Sequence, residues 1–377
     1  MNTIHWTDAD DERRTARWYT QNATPPPKRV ITAGARISVA AAYRHVSEGT
    51  ALLWQGDYPS ARRLLTSLRR KLDGIAQPKS DSLAQAFHLQ RREQARRSRV
   101  LGMLLIPYAD DWAIGLRQAP DVREACVQAY GEWPGGDEPV VGSLRELLGI
   151  VGAYEWRRKG VEIPALGAGA RIHPHYGVFS PVRGEYVDLV AKAPLPAGAD
   201  SAFDIGTGTG VLAALLAHRG LRRVVATDLD PRAVACARDN AERLGLPVEV
   251  READLYPAGR AHVVVCNPPW LPARPRTPLD HAVYDPGSRM LHSWLDGLAD
   301  HLEPGGEGWL IISDLAERLG LRGPTELSDA IDKAGLRVVG RLDTRPRHGR
   351  AADRDDPLHE ARAAELTTLW RLAPRAT

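Results

Sequence analysis

The spacing of apolar positions changes character near the middle of the chain. From Ser38, residues Val39, Ala42, Tyr43, Val46, Thr50, Leu53 and Trp54 recur at three- and four-residue steps, the spacing of one helix face. Gly56-Asp57-Tyr58-Pro59 interrupts the pattern, and Leu64, Leu65, Leu68 and Leu72 mark a second amphipathic helix. So short a link predicts an antiparallel helical hairpin. A third helix is expected from near Ser82 past Arg99. After a turn at Trp133-Pro134-Gly135-Gly136-Asp137, Ser143 and Glu146 stand at capping-box spacing. They precede a helix through Leu144, Leu147, Leu148, Val151 and Tyr154. The helical pair has no second copy, which argues against a tetratricopeptide array. Residues 1–29 are polar and end in Pro25-Pro26-Pro27, an extended segment. Residues 1–160 therefore read as a mostly helical accessory domain.

Beyond Gly167-Ala168-Gly169, short apolar runs alternate with helical stretches. Strands are expected at Ser201 to Ile205, Arg223 to Thr227, Val248 to Arg251, from Val263, at Gly308 to Ser313, Leu336 to Leu342 and Glu365 to Leu372. Helices are expected at Val211 to His218, from Pro231, at Met290 to His301 and at Pro324 to Ala334. This alternation predicts an α/β, Rossmann-like second domain over residues 161–377.

Composition adds little to that division. A chain of 377 residues suits two domains, and 43% apolar with 26% charged residues is ordinary for a globular protein. The net charge is only +3, but residues 60–99 hold eleven basic and three acidic side chains. These are Arg62, Arg63, Arg69, Arg70, Lys71, Lys79, Arg91, Arg92, Arg96, Arg97 and Arg99 against Asp73, Asp81 and Glu93. Such a face fits a phosphate backbone, although only Phe87 offers a ring for base stacking there; a solvated helix face is the bland alternative. Cys126, Cys236 and Cys266 are odd in number, widely spaced and without a metal pattern. The start of the chain shows no signal peptide and no run reaches the roughly 18 apolar residues of a membrane span, so a cytoplasmic protein is expected. His173 and His175 could ligate a metal, but no third ligand stands near them, and a structural turn is expected instead of a metal site.

Two stretches carry the chemistry. Phe203 to Gly210 reads Phe-Asp-Ile-Gly-Thr-Gly-Thr-Gly, a strand running into a glycine loop. Gly206, Gly208 and Gly210 allow a tight turn and close backbone approach to a ligand, which serves NAD(P)-dependent oxidoreductases as well as other nucleotide-like cofactors. Asp228, at the tip of the second strand, is placed to accept ribose hydroxyls in either case. Asp230 before Pro231 is a helix cap. The second stretch, Val263 to Trp270, reads Val-Val-Val-Cys-Asn-Pro-Pro-Trp.

Together and in this order, the two stretches resemble those of class I S-adenosylmethionine (SAM)-dependent methyltransferases acting on a planar nitrogen. The similarity is to the ribosomal RNA guanine-N2 and release-factor glutamine-N5 families, whose domain is the "methyltransferase small" type. The resemblance covers about residues 170–377. It implies a seven-stranded sheet with the seventh strand antiparallel, SAM as cofactor and S-adenosylhomocysteine as product. It also implies cofactor contacts from Asp204, Gly206, Thr207, Gly208, Gly210, Asp228, Leu229, Asp254, Leu255 and Asn267. Asp204 matches the acidic residue before the glycines, which holds the methionine amino end, and Asp254 the residue that meets the adenine amino group. The segment Gly177-Val178-Phe179-Ser180-Pro181 resembles an entry hairpin closing over the site, with Phe179 toward the substrate.

A nitrogen conjugated to a ring or carbonyl is a poor nucleophile because its lone pair is delocalised. Asn267 offers a side-chain oxygen and Pro268 a carbonyl whose geometry is restricted by Pro269, so two acceptors can hold the N–H groups. Trp270 offers a flat apolar face, where these families carry Tyr or Phe. Positioning of this kind is worth roughly 7–11 kcal/mol of barrier. The loop after it contributes His281, Tyr284 and Asp285 as substrate candidates, with a purely structural loop as the alternative. Arg341, Arg345, Arg347 and Arg350 form a basic loop near the C-terminus. RNA is the first expected acceptor, then a protein glutamine, then a small planar metabolite; an NAD(P)-dependent oxidoreductase would leave Asn267 to Trp270 unexplained.

Overall fold

A computed structural model describes residues 3–375 apart from 9, 23, 76–79, 137 and 347–352. Lys79, Asp137, Arg347 and Arg350, which entered the sequence reading, lie outside the described residues. The chain divides into two compact units, residues 1–80 with 88–155 and residues 81–87 with 156–377.

The first unit is built on a six-stranded sheet. Its strands are β1 (Thr3–Thr7), β2 (Arg13–Trp18), β3 (Arg29–Ala33), β4 (Thr50–Trp54), β5 (Leu104–Tyr108) and β6 (Val140–Ser143), in the order β1-β2-β6-β5-β4-β3. Helices α1 (Val39–Ser47), α2 (Tyr58–Asp73), α3 (Leu83–Gly102) and α4 (Arg123–Tyr130) lie between them, and α5 (Leu144–Lys159) follows β6. Helix outweighs strand in this unit, yet the sheet is absent from the sequence reading. Thr50, Leu53 and Trp54 do not extend the first helix. Gly49, at φ +83°, ends that turn, and all five residues of β4 are buried. A short, fully buried strand shows no alternation and cannot be told from a helix by period. With β4 between them, α1 and α2 are crossovers of parallel strands rather than a helical hairpin. The capping box is half made. Ser143 Oγ accepts the Glu146 N–H at 3.4 Å, but the Glu146 carboxylate turns to Thr20, the Gln21 N–H, Asn22 and Tyr130.

The second unit holds a hairpin of β7 (Val161–Glu162) and β8 (Arg171–Ile172), then helix α6 (Glu185–Lys192). The expected hairpin at 177–181 is irregular chain between β8 and α6, since hairpin pairing is completed before it. Strands β9 (Ser201–Ile205), β10 (Arg223–Asp228), β11 (Val248–Glu252), β12 (Ala261–Cys266), β13 (Leu302–Ser313), β14 (Leu336–Thr344) and β15 (Thr367–Pro374) form one sheet. The fifth strand begins at Leu302 instead of Gly308, and Arg341 lies within β14, paired with Asp343 at 2.9 Å, instead of in a loop. Helices α7 (Val211–His218), α8 (Pro231–Leu244), α9 (Arg289–Leu298), α10 (Leu315–Arg318), α11 (Glu326–Lys333) and α12 (His359–Ala363) complete it.

Both faces of the sheet are covered at its centre, where β9, β10, β12 and the second half of β13 are buried along nearly their whole length. Val224, Ala226, Val263, Val265, Trp309 and Ile311 meet α6, α7 and α8; Val225, Val264, Cys266, Leu310 and Ile312 meet α9 and α11. The strand order is β11-β10-β9-β12-β13-β15-β14, parallel except for β15, which is antiparallel to β13 and to β14. The dinucleotide order 3-2-1-4-5-6 has no such inserted strand. At the β13–β15 seam, Arg371 forks onto Glu307 at 2.6 and 2.7 Å, and the Trp309 indole donates to the same carboxylate. Gly308 sits there without room for a side chain, because a Cβ would lie 2.2 Å from Leu298 Cδ2. Gly308→Ala should therefore lower stability by about 1–3 kcal/mol through overpacking. Urea unfolding checks this, and an unchanged midpoint would mean that Leu298 has room to turn.

Candidate active site

Strand register brings the site together. Ile205 of β9 pairs with Thr227 of β10 on one side and with Cys266 of β12 on the other. Gly206, Asp228 and Asn267, which follow those pairs, therefore emerge along one edge of the sheet. Strand order reverses between β9 and β12, and open parallel sheets bind ligands at such a switch point.

The glycine loop is held from behind. The N–H groups of Gly206 and Thr207 both donate to the Thr227 carbonyl at 2.9 Å, and the Gly208 N–H donates to Asp228 Oδ2 at 2.9 Å. Gly206, Gly208 and Gly210 all have positive φ, at +70°, +56° and +80°. A Cβ on Gly206 would stand 2.6 Å from Met290 Cε, and one on Gly210 would stand 3.1 Å from Ala237 of α8. Nothing lies within 4 Å of a Cβ placed on Gly208. Two glycines thus serve internal packing, and the middle one leaves open space that suits close approach of a ligand.

Asp204, 1% exposed, accepts the Thr207 hydroxyl at 2.6 Å and the Ala213 N–H at 2.9 Å, both on Oδ2. Burial raises its carboxyl to about 6 against the lowering effect of these bonds, and the neighbouring Asp228 adds to the rise. Asp228 is also raised, first by burial, and its Oδ1 accepts the Asp230 N–H at 3.0 Å. Asp230 itself caps α8 through the Arg232 N–H. Leu229 is 65% exposed beside it. Asp254 is exposed just past β11, while Leu255 takes a left-handed φ of +68° and its carbonyl accepts the Thr227 hydroxyl at 2.5 Å. Cys266 is buried and its thiol is pushed up by burial, which removes it as a nucleophile.

At the Asn-Pro-Pro-Trp turn Pro268 is buried, and Asn267, Pro269 and Trp270 are partly exposed. The Trp270 indole N–H donates to Asn267 Oδ1 at 2.9 Å. The following loop folds back on itself. The Leu271 N–H donates to the Val283 carbonyl, and the Asp285 N–H to the Leu271 carbonyl. Asp285 Oδ2 accepts the Met290 N–H at 2.7 Å, at the start of α9. Tyr284 packs with Phe87 and Leu271, whereas His281 is exposed in a 3-10 turn. Phe179 is partly exposed in a segment tied to α8. There, the His173 N–H donates to Asn240 Oδ1 and His175 Nε2 meets Asp239 at 3.1 Å. The two histidines thus take separate structural partners, and no group of three or more His, Cys, Asp and Glu is placed for a metal among the described residues. Nor does any helix of the described residues have the length and apolarity to cross a membrane.

Three supporting residues are missing from the sequence reading. Met290 fills the space behind Gly206. Asn240 donates to the Thr209 carbonyl at 3.0 Å and so braces the loop from α8; an Asn in the buried stripe Ala233, Cys236, Ala237, Ala241 was a readable signal. Arg322, 5% exposed, donates to the Trp270 carbonyl at 3.3 Å and to Ser288 Oγ at 3.1 Å, and pairs with Glu317 at 3.4 Å. Nothing in the local sequence sets it apart from the chain's other arginines.

Residues 169–317 match the family model described as the methyltransferase small domain. The release factor glutamine methyltransferase of Deinococcus radiodurans is 41% identical over 26% of this chain and 36% of its own length. The ribosomal protein L11 methyltransferase of Bordetella parapertussis is 35% identical over 34% of this chain and 42% of its own. The chain thus spans less than half the length of these two relatives. A methyltransferase from Pyrococcus furiosus aligns with 18% identity and a TM-score of 0.40 over 60% of this chain and 98% of that one. The matched stretch lies within the second unit, on its seven-stranded sheet, and is similar to methyltransferase small domains.

The raised Asp204 carboxyl predicts a pH signature. Its folded-state value of about 6 lies above the ordinary 3.8, so the folded protein binds the proton more tightly than the unfolded chain does. The associated stability is present below pH 4 and is lost as pH rises through 6, by an amount on the order of 3 kcal/mol. Asp204→Asn should therefore unfold at a higher temperature than the wild type at pH 7.5, with the gap closing at pH 4.5. A gap of equal size at both pH values would refute this origin.

Proposed function

We propose that the protein is a SAM-dependent N-methyltransferase acting on a planar amide or amino nitrogen. The reading is carried by Asn267, delivered by the end of β12 to the sheet edge where the end of β9 delivers the glycine loop. The open space before Gly208, the carboxylates of Asp228 and Asp254 and the exposed Leu229 fit a nucleoside with an attached amino acid, and Asp204 Oδ1 is left over from its bonds to the protein. Bound there, SAM supplies an electrophilic methyl group. Asn267 Oδ1 and the Pro268 carbonyl accept the N–H groups of the acceptor, turning the nitrogen lone pair toward that methyl, and Trp270 stacks on the planar group. No strong base is required, because the nitrogen becomes acidic only once methylated.

For the acceptor, a protein is the first class, supported by the names of both relatives, and the release-factor glutamine name supports a side-chain amide. RNA is the second reading, supported by Arg62, Arg63, Arg69, Arg70 and Lys71 exposed along α2. Part of the expected charge is spent internally. Glu93 takes Arg96 and Arg97, and Arg97 also pairs with Asp73.

SAM at a hundred times its Kd should stabilise the fold by about 2.7 kcal/mol, and NAD should not; the reverse result would sink the methyltransferase reading. Asn267→Ala should keep that stabilisation and lose about a hundredfold or more in methyl transfer. Tritium-labelled SAM with fractionated cell lysate reads the acceptor. Label in protein supports the amide. Label in RNA, falling steeply with salt and with Arg62, Arg69 and Arg70 changed to Ala, supports the second reading.

A further inference from the structure

The fourth residue of the acceptor turn offers more than a flat face. An indole N–H can only donate, so its 2.9 Å bond to Asn267 decides which end of that amide faces the ring. The oxygen turns toward the indole and the NH2 group turns away. Without such a partner the amide has two orientations of similar energy. In the flipped one a donor occupies the place where an acceptor is needed. The oxygen has two lone pairs, so one remains for an incoming N–H.

Trp270 is itself well held. Its ring packs against the core clusters on both faces of the sheet, and its carbonyl is gripped by the buried Arg322. Arg322 in turn reaches Ser288, just before α9, and Glu317 of α10. The donor therefore stands on a rigid base, as a group that orients a neighbour must.

We propose that Trp270 is a positioning residue for methyl transfer, its indole N–H locking Asn267 with the amide oxygen presented to the acceptor. This rests on the reading of Asn267 as the residue that receives the acceptor N–H groups. Phe or Tyr at position 270 would keep the flat face, and Phe has no donor at all. The lock thus needs a donor on the ring and does not follow from aromatic character alone.

Trp270→Phe tests the lock, with tritium-labelled SAM and lysate as acceptor source. Transfer at saturating SAM should fall about tenfold, the size expected for one lost hydrogen bond, with the SAM Kd unchanged. In the Asn267→Ala background the same change should have no further effect, because nothing is left to orient. A loss of equal size in both backgrounds would overturn the proposal and leave Trp270 as a stacking surface only. A benzothiophene analogue of tryptophan at position 270 replaces the N–H by sulfur at nearly constant shape, and covers the case in which Trp270→Phe folds poorly. A readout independent of turnover is the indole 15N–1H resonance that Trp270→Phe removes. It should shift in Asn267→Ala, and an unmoved resonance would also overturn the bond. Full transfer by Asn267→Ala would instead refute the underlying reading. Loss in Asn267→Ala with wild-type rates in both Trp270 variants would refute the lock alone.

Discussion

The parallel pairing of β9 with β10 on one side and β12 on the other is the constraint on which the site depends. It brings the glycine loop, a carboxylate and the Asn-Pro-Pro-Trp turn to one edge from segments far apart in sequence. A slip of one residue in either ladder would exchange the faces of the whole strand. Burial on both faces forbids that, since Val263 and Val265 belong to one core and Val264 and Cys266 to the other.

Around this edge the protein tolerates features that oppose stability. Asp204 is a buried carboxylate held by two donors, with a raised proton affinity. Leu255 and Ser288 adopt left-handed backbone angles that disfavour side chains. Arg322 Nε and Glu317 Oε2 are buried without hydrogen-bond partners, beneath the turn whose carbonyl Arg322 holds. Such features cost stability and persist only where the surrounding packing holds them in place. The same rigidity gives the Trp270–Asn267 bond its meaning, because a donor on a mobile base would orient nothing.

Much of the second unit was legible because local and global preferences agree there. Glycines at positive φ, Asp230 before Pro231 and apolar runs of strand length each carry their reason in the residues themselves. The first unit was less legible. Its strands are short, and β4 is buried throughout, so period could not separate it from the helix before it. Glu146, read as a cap, instead gathers four donors, three of them from residues 20–22. Arg341, read as a loop residue, pairs within β14 and lies over the Trp370 ring.

Sequence alone determined the order of chemistry along the chain: a glycine loop after one strand, a carboxylate after the next, and an Asn-Pro-Pro-Trp turn after the fourth. Those are local properties, set by backbone freedom at Gly206, Gly208 and Gly210 and by restriction at Pro268 and Pro269. Only the tertiary structure decided which partners complete them. Met290 behind the loop, Asn240 bracing it from α8 and Arg322 beneath Trp270 are contacts between distant segments. The orientation of Asn267 is set by a bond three residues away, but the tryptophan that makes it is fixed by both cores of the sheet. No spacing in the sequence announces such contacts, because packing, not chain neighbourhood, brings them about.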